Sequence, residues 1–267
     1  MRTIHCEYLD HRFQLEKSPM RVVSLLSSAT EAMDKMGLLD RIVGVSEYCD
    51  RYVQTDAPVV GQYLNCDIEQ IKALKPDLVI LTTGIQRKLG MKLAAAGLPV
   101  YALNLPQSFY GILENQRILG GLLDEMQLAN DLNAKMLDQR AELKLHHPAE
   151  KPRVYVELWL GKHERAVGGL SFISDLVEMA GGISIYADRA EAYMRTDYDE
   201  IAALNPDVYI CFYEPEFVVN GEELSRQRGW SPEIKVIHSI VDCGQNVIQE
   251  GPSLLDTAKW LQKQLLA

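Results

Sequence analysis

The sequence predicts an α/β fold in two similar lobes joined by one long helix. Three observations lead there. Residues 109–145 place Ile112, Leu119, Leu122, Leu123, Met126, Ala129, Leu132, Met136 and Leu143 at gaps that trace one helix face. Residues 67–80 (DIEQIKALKPDLVI) align without a gap with residues 197–210 (DYDEIAALNPDVYI), at an offset of 130 residues. Apolar strand patterns alternate with helical ones on both sides of the long run, as in parallel sheets covered by helices. The expected organisation is an N-terminal lobe over 1–107, a linking helix over 108–147 and a C-terminal lobe over 148–267. For the long run alone, an ordinary helix inside one α/β core is the alternative. For the repeat, it is convergence on a common helix-turn-strand solution.

In chain order, residues 1–19 are a polar lead that forms an edge strand or wraps the surface. Residues 21–26 read as a buried strand, and Ser28 with Glu31 as a capping box opening a helix that Gly37 ends. A second strand covers 41–46, and a loop-rich region with Tyr48, Tyr52 and Tyr63 covers 47–64. The first repeat unit follows, with Asp67 and Gln70 as its capping pair and a third strand at 78–81. A helix over 86–96 and a strand over 100–103 complete the lobe. In the long run, Gly120-Gly121 marks a kink near the start. The remainder would span roughly 35 Å at 1.5 Å per residue.

The second lobe opens with a strand over 154–158 and a loop over 159–169. A helix over 171–180 stops at Gly181-Gly182, and 183–186 form a short strand. The second repeat unit, capped by Asp197 with Glu200, leads into a strand over 208–212. A helix before Gly229, a strand over 236–238 and a C-terminal helix after Pro252 finish the chain.

At 267 residues and 47 % hydrophobic composition, the chain can bury one large core or two ordinary ones. Its net charge of -10 and pI near 5.1 argue against a nucleic-acid groove, which needs clustered Lys and Arg. The five cysteines, Cys6, Cys49, Cys66, Cys211 and Cys243, are scattered without CxxC spacing, as suits a reducing compartment. No apolar run reaches membrane-spanning length, and the N-terminus shows no apolar signal region. The expectation is a soluble monomer: cytoplasmic if Met1 is the native start, periplasmic or extracellular if an export sequence precedes it.

Several chemistries lack their motifs. There is no GxGxxG after the first strand, no GxxxxGK[ST], no HExxH and no GxSxG. Gly168-Gly169 beside Arg165 could approach an anion, though a flexible turn is the simpler reading. His146 and His147 are adjacent and share no helix face, so they read as solvated residues rather than zinc ligands. His163 follows a strand with Lys162 and Arg165 nearby; it is a ligand contact or a surface histidine. Tyr48, Tyr63, Trp159 and Tyr193 lie on loops or near strand ends, where open α/β sheets bind ligands. Aromatic faces bury large area at modest ordering cost; any one of these residues reads first as packing, and the four together put a hydrophobic or conjugated ligand on an equal footing with it.

The segments RVVSLLSSATE (21–31), VGVSEYCD (43–50), IEQIKALKPD (68–77), GLSFI (169–173) through AGG (180–182), and IAALNPD (201–207) carry a resemblance. The chain resembles the helical-backbone periplasmic binding proteins, nearest to the vitamin B12-binding proteins, from Arg21 to about Leu265. These are ABC importer receptors for corrinoids, ferric siderophores or haem. The resemblance implies two Rossmann-like lobes bridged by one long helix, with a ligand cleft between them, and a binding protein rather than an enzyme. It implies that Tyr48 lines the cleft, that Tyr63 and Tyr193 replace two tryptophans, and that Thr82 stands where another would be. Trp159 falls beside a further aromatic position. It also implies that Glu69 and Asp199, with Glu200 adjacent, dock arginines of an ABC importer permease.

No intrinsic cofactor is expected. A metal, if present, would belong to a corrinoid, haem or ferric siderophore ligand, with His163 as one axial contact. The alternative is a cytoplasmic relative that handles a cofactor or catalyses on the same scaffold, with Asp50, Glu157, His163 and Glu214 as acid-base groups.

Overall fold

The computed structural model describes residues 1–213, 217–239 and 248–267. It begins with an antiparallel hairpin, β1 (Arg2–Cys6) and β2 (His11–Leu15), where the sequence offers a polar lead forming an edge strand or wrapping the surface. Alternation of α1 (Ser27–Lys35), α2 (Ile68–Ala73) and α3 (Arg87–Ala95) with five strands follows. The strands are β3 (Val22–Ser24), β4 (Ile42–Ser46), β5 (Val59–Gly61), β6 (Leu78–Thr82) and β7 (Val100–Leu103). They form one parallel sheet in the order β5-β4-β3-β6-β7. The central strands are buried on both faces, which is why they read as apolar runs rather than alternations. Strand β5 is too short, at three residues, to stand out within the loop-rich stretch.

The expected Ser28–Glu31 capping box does not form. Helix α1 starts two residues earlier, Leu26 is its capping position without a side-chain bond, and Ser28 and Glu31 are buried within the helix. Asp67 and Asp197 do cap as expected, accepting from the amides of Gln70 and Glu200 at 3.0 Å each.

The run 109–145 is two helices, α4 (Phe109–Leu123) and α5 (Met126–Lys144), rather than one. Asp124 takes a left-handed conformation (φ 62°) between them. The chain then folds back: Asn133 Nδ2 donates to the Leu113 carbonyl at 2.9 Å. Gly120 permits the close approach, because a Cβ there would lie 2.5 Å from Ala129 Cβ. The open carbonyls at the α4 end are satisfied from far along the chain. Arg2 donates to the Gly121 and Leu122 carbonyls at 2.7 and 3.0 Å, and Ser18 and Arg41 to that of Leu123 at 2.6 and 3.2 Å.

The chain divides into two units, Met1–Pro106 with Tyr110–Lys135 and Gln107–Phe109 with Met136–Ala267. The division therefore falls inside α5, a 19-residue helix of about 28 Å. The second unit contains β8 (Arg153–Leu160), β9 (Arg165–Val167), α6 (Phe172–Met179), β10 (Ile183–Ser184), β11 (Tyr193–Met194) and α7 (Tyr198–Leu204). Then come β12 (Val208–Tyr213), α8 (Gly221–Gln227), β13 (Lys235–Ser239) and α9 (Leu254–Leu266). Its sheet runs β11-β9-β8-β12-β13, with β10 also on β8. Strands β8, β12 and β13 are parallel, while β9 and β11 add antiparallel pairing.

The repeat reaches atomic detail. Asp77 Oδ2 accepts from the Arg21 amide at 3.0 Å, and Arg21 Nε donates to the Leu74 carbonyl at 2.9 Å. In the other unit, Asp207 Oδ2 accepts from the Arg153 amide at 2.7 Å, and Arg153 Nη2 donates to the Leu204 carbonyl at 2.9 Å. In each case the Pro-Asp break ties a helix end to the first strand of its sheet.

Candidate functional site

Parallel strands that start together deliver their following loops to one sheet edge. In the N-terminal unit, Tyr48 follows β4, Tyr63 follows β5, and a turn over Gly84–Gln86 follows β6. The Tyr63 loop is tight: the Gln62 amide donates to the Asn65 carbonyl at 2.7 Å, and Gly61 bridges Cys66. Gly61 (φ 155°) is needed there, since a Cβ would lie 2.4 Å from Cys66 Cα. The rings of Tyr48 and Tyr63 are 6.2 Å apart and inclined at 50°, and the Arg51 guanidinium lies 4.4 Å from the Tyr48 ring centre. Leu64, next to Tyr63 in the chain, and Ile85, in the turn that Gln86 ties to the Tyr63 carbonyl, are exposed at 53 % and 65 %. The result is an apolar, partly aromatic wall with one cation at its margin.

Thr82 does not join this wall. It is buried, and its hydroxyl donates to the Leu103 carbonyl at 3.3 Å. The resemblance aligned it with a tryptophan position, but here the last residue of β6 points into packed surroundings.

In the C-terminal unit, the expected loop over 159–169 is a β-hairpin between β8 and β9, with Trp159 inside β8. Trp159 adopts a left-handed backbone (φ 56°), an unfavourable conformation for a bulky residue. Its carbonyl accepts from the amides of Lys162 and His163, both at 3.1 Å, which closes the turn. The His163 ring stacks on Trp159 at 5.2 Å, and Tyr193 of β11 lies 5.3 Å from Trp159 on another side. Burial pushes the Tyr193 phenol up, a hydrogen bond with Ser171 lowers it, and Glu250 raises it, so it stays protonated at neutral pH. Trp159, His163 and Tyr193 thus form one cluster. Arg165 is half-buried, faces Leu158 in the β8–β9 register and donates to the Glu164 carbonyl at 2.7 Å.

The three docking candidates differ. Glu69 lies in the first turn of α2 with its side chain 80 % exposed, paired to Lys72 at 2.9 Å. Asp199 is exposed in the first turn of α7. Glu200 is engaged: Arg189 Nη2 donates to it at 2.5 Å and the Tyr186 hydroxyl at 3.0 Å.

Among the acid-base candidates, Glu157 is fully buried in an ion pair with Arg228, which removes it from solvent chemistry. Asp50 and His163 are exposed, and Glu214, like Cys243, lies outside the described residues. Among the described residues, no group of three or more His, Cys, Asp or Glu could hold a metal ion. The described cysteines Cys6, Cys49, Cys66 and Cys211 are free. Sequence patterns did not single out Ile85, Arg51 or Gln86. The strain at Trp159 is a tertiary signal with no counterpart in composition.

The profile of the family described as Periplasmic binding protein matches residues 22–231. The chain belongs to that family. It is 30 % identical over 204 residues to a cobalamin-binding protein of Halobacterium salinarum, covering 73 % of this chain and 54 % of that one. The chain thus matches about half the length of that relative. It is 26 % identical over 251 residues to a vitamin B12-binding protein of Vibrio cholerae, covering 90 % and 86 %. Its fold matches an ABC transporter substrate-binding protein from Listeria monocytogenes with a TM-score of 0.78 at 21 % identity, over 93 % and 99 % of the two chains. Among the described residues, no helix of this family member is long and apolar enough to cross a membrane.

Proposed function

We propose that this periplasmic binding protein family member binds a corrinoid or a similarly large, partly conjugated metal chelate and delivers it to an ABC importer. The observation that carries this reading is the pair of aromatic clusters at loop edges of the two sheets, Tyr48 with Tyr63 and Trp159 with His163 and Tyr193. Flat aromatic faces with exposed Leu64 and Ile85 suit the apolar flank of a macrocycle. The 30 % identity to a cobalamin-binding protein supports corrinoids as the first ligands to try. The metal belongs to the ligand in this reading. In this reading the chain acts as a binder rather than an enzyme, in keeping with the binding proteins it is similar to.

Glu69 and Asp199 serve as the importer-docking carboxylates, one on each unit, while Glu200 holds its own lobe together. Delivery to an importer requires a location outside the cytoplasmic membrane, which fractionation of the native source tests.

The deciding experiment is incubation with cobalamin, cobinamide, haem and ferric siderophores, then desalting and a visible spectrum. Retention and titration of a corrinoid supports the proposal. Binding weaker than about 10 μM for every chelate, equivalent to about 7 kcal/mol, removes the transport-receptor reading.

A further inference from the structure

Gln86 sits between the turn after β6 and the start of α3, and its side chain is wholly buried. Its amide joins three separate segments. Oε1 accepts from the Thr82 amide at 2.8 Å. Nε2 donates to the Leu25 carbonyl at 3.2 Å and to the Tyr63 carbonyl at 2.6 Å. Leu25 follows β3, Thr82 ends β6, and Tyr63 is on the loop after β5. One N–H faces the acceptor oxygen and two carbonyls face the NH2 group, so the amide orientation is set by its partners. Glutamate in the ionised state would turn an oxygen toward those two carbonyls, and leucine would supply no donor.

A second grip reaches the same turn from the N-terminal segment. The Tyr8 hydroxyl accepts from the Gly84 amide at 2.7 Å and donates to the Gly84 carbonyl at 3.3 Å. Tyr8 precedes the family match, which begins at residue 22. The turn so held carries the exposed Ile85.

We infer that Gln86 is a positioning residue for ligand recognition, and that Tyr8 braces it by fixing Gly84. Gln86 sets where the Tyr63 loop stands relative to the strand ends, and with it the Tyr48–Tyr63 aromatic wall. Tyr8 sets where Ile85 is presented. This inference rests on the ligand-binding reading above, and the N-terminal hairpin region becomes part of the recognition unit rather than an ornament on the sheet.

The test compares parent protein with Gln86→Leu, Gln86→Glu and Tyr8→Phe. Hydrogen exchange of residues 60–66 and 83–86 is followed without ligand, and cobinamide affinity is titrated by visible absorbance well below the melting temperature. There, a loss of stability alone leaves affinity unmoved. Gln86→Leu is expected to exchange faster over 60–66 and to bind cobinamide about tenfold more weakly, as for one lost buried partner. Gln86→Glu should not restore either property at neutral pH. Tyr8→Phe should speed exchange over 83–86 and weaken binding about threefold, the scale of one partly exposed hydrogen bond. It carries the test alone if Gln86→Leu does not fold. Parent-like exchange and parent-like affinity in the variants overturn the inference. If the parent itself binds no chelate, the ligand reading fails, while unchanged exchange over 60–66 would separately refute the positioning of Tyr63.

Discussion

Arg228 Nη1 donates to Glu157 Oε2 at 2.6 Å inside the C-terminal unit, with side chains 9 % and 0 % exposed. The Tyr209 hydroxyl donates to the same oxygen at 2.6 Å. Arg228 also stacks over Tyr198 at 4.0 Å and Trp230 at 5.1 Å. One guanidinium therefore neutralises a buried carboxylate and fills an aromatic box beneath α7 and α8. Removing one partner of such a pair strands the other charge. Arg228→Met is expected to destabilise the protein by about 3–5 kcal/mol, and Glu157→Gln with Arg228→Met by clearly less. Urea unfolding followed by tryptophan fluorescence measures both.

The same pair predicts a pH effect. Burial pushes the Glu157 carboxyl above its ordinary value, while Arg228 and the Tyr209 hydrogen bond pull it down. A carboxyl whose folded pKa is raised binds protons more tightly when folded. Its contribution is fully present below the ordinary carboxylate range and is lost as pH rises through the folded value. Without Arg228 the folded value moves higher still. The stability deficit of Arg228→Met should therefore stay flat at acid pH and grow with pH over the range above the parent's raised folded value. A deficit that stays flat across urea midpoints in that range would contradict this account.

Thr82 stands where the resemblance expects tryptophan, yet it is 1 % exposed. Thr82→Trp should not build a broader ligand wall. Overpacking should cost about 1–3 kcal/mol and lower the melting temperature, with no gain in corrinoid affinity. Calorimetry and the absorbance titration check the two halves of this expectation.

Gly120 meets Ala129 where α4 and α5 fold back on each other. Gly120→Ala should destabilise by about 1–3 kcal/mol despite its better helix propensity, because the added methyl clashes. Adding Ala129→Gly should recover part of the loss, a coupling that a double-mutant cycle measures.

Replacing Glu69 and Asp199 together with Ala should leave chelate affinity nearly unchanged. Docking to a reconstituted importer should become weaker and less sensitive to salt. Glu200→Ala should behave differently, lowering stability through lost contacts with Arg189 and Tyr186. Equal docking by parent and double variant, with folding intact, would remove the docking role.

The α/β class, the two-lobe duplication and the aspartate caps of α2 and α7 are legible in the chain before it folds. Each of these is written in short stretches: strand patterns of a few residues, a capping side chain three positions from its amide, a repeat read by direct alignment. Sequence patterns put Tyr48, Tyr63, Trp159 and Tyr193 on loops or near strand ends; in the fold the first two lie on loops and the other two within β8 and β11. Other features depend on long-range packing. A continuous apolar stripe from 109 to 145 is equally consistent with one helix or two packed ones. The break at Asp124 is held by Arg2, Ser18 and Arg41, residues remote in sequence. The burial of Thr82, the engagement of Glu200, the pairing of Glu157 with Arg228 and the three-way bond of Gln86 depend likewise on partners many positions away. Periodicity and capping report what a segment does with its own neighbours; a side chain's final role is set by which distant donor, acceptor or charge the folded chain brings within about 3 Å of it.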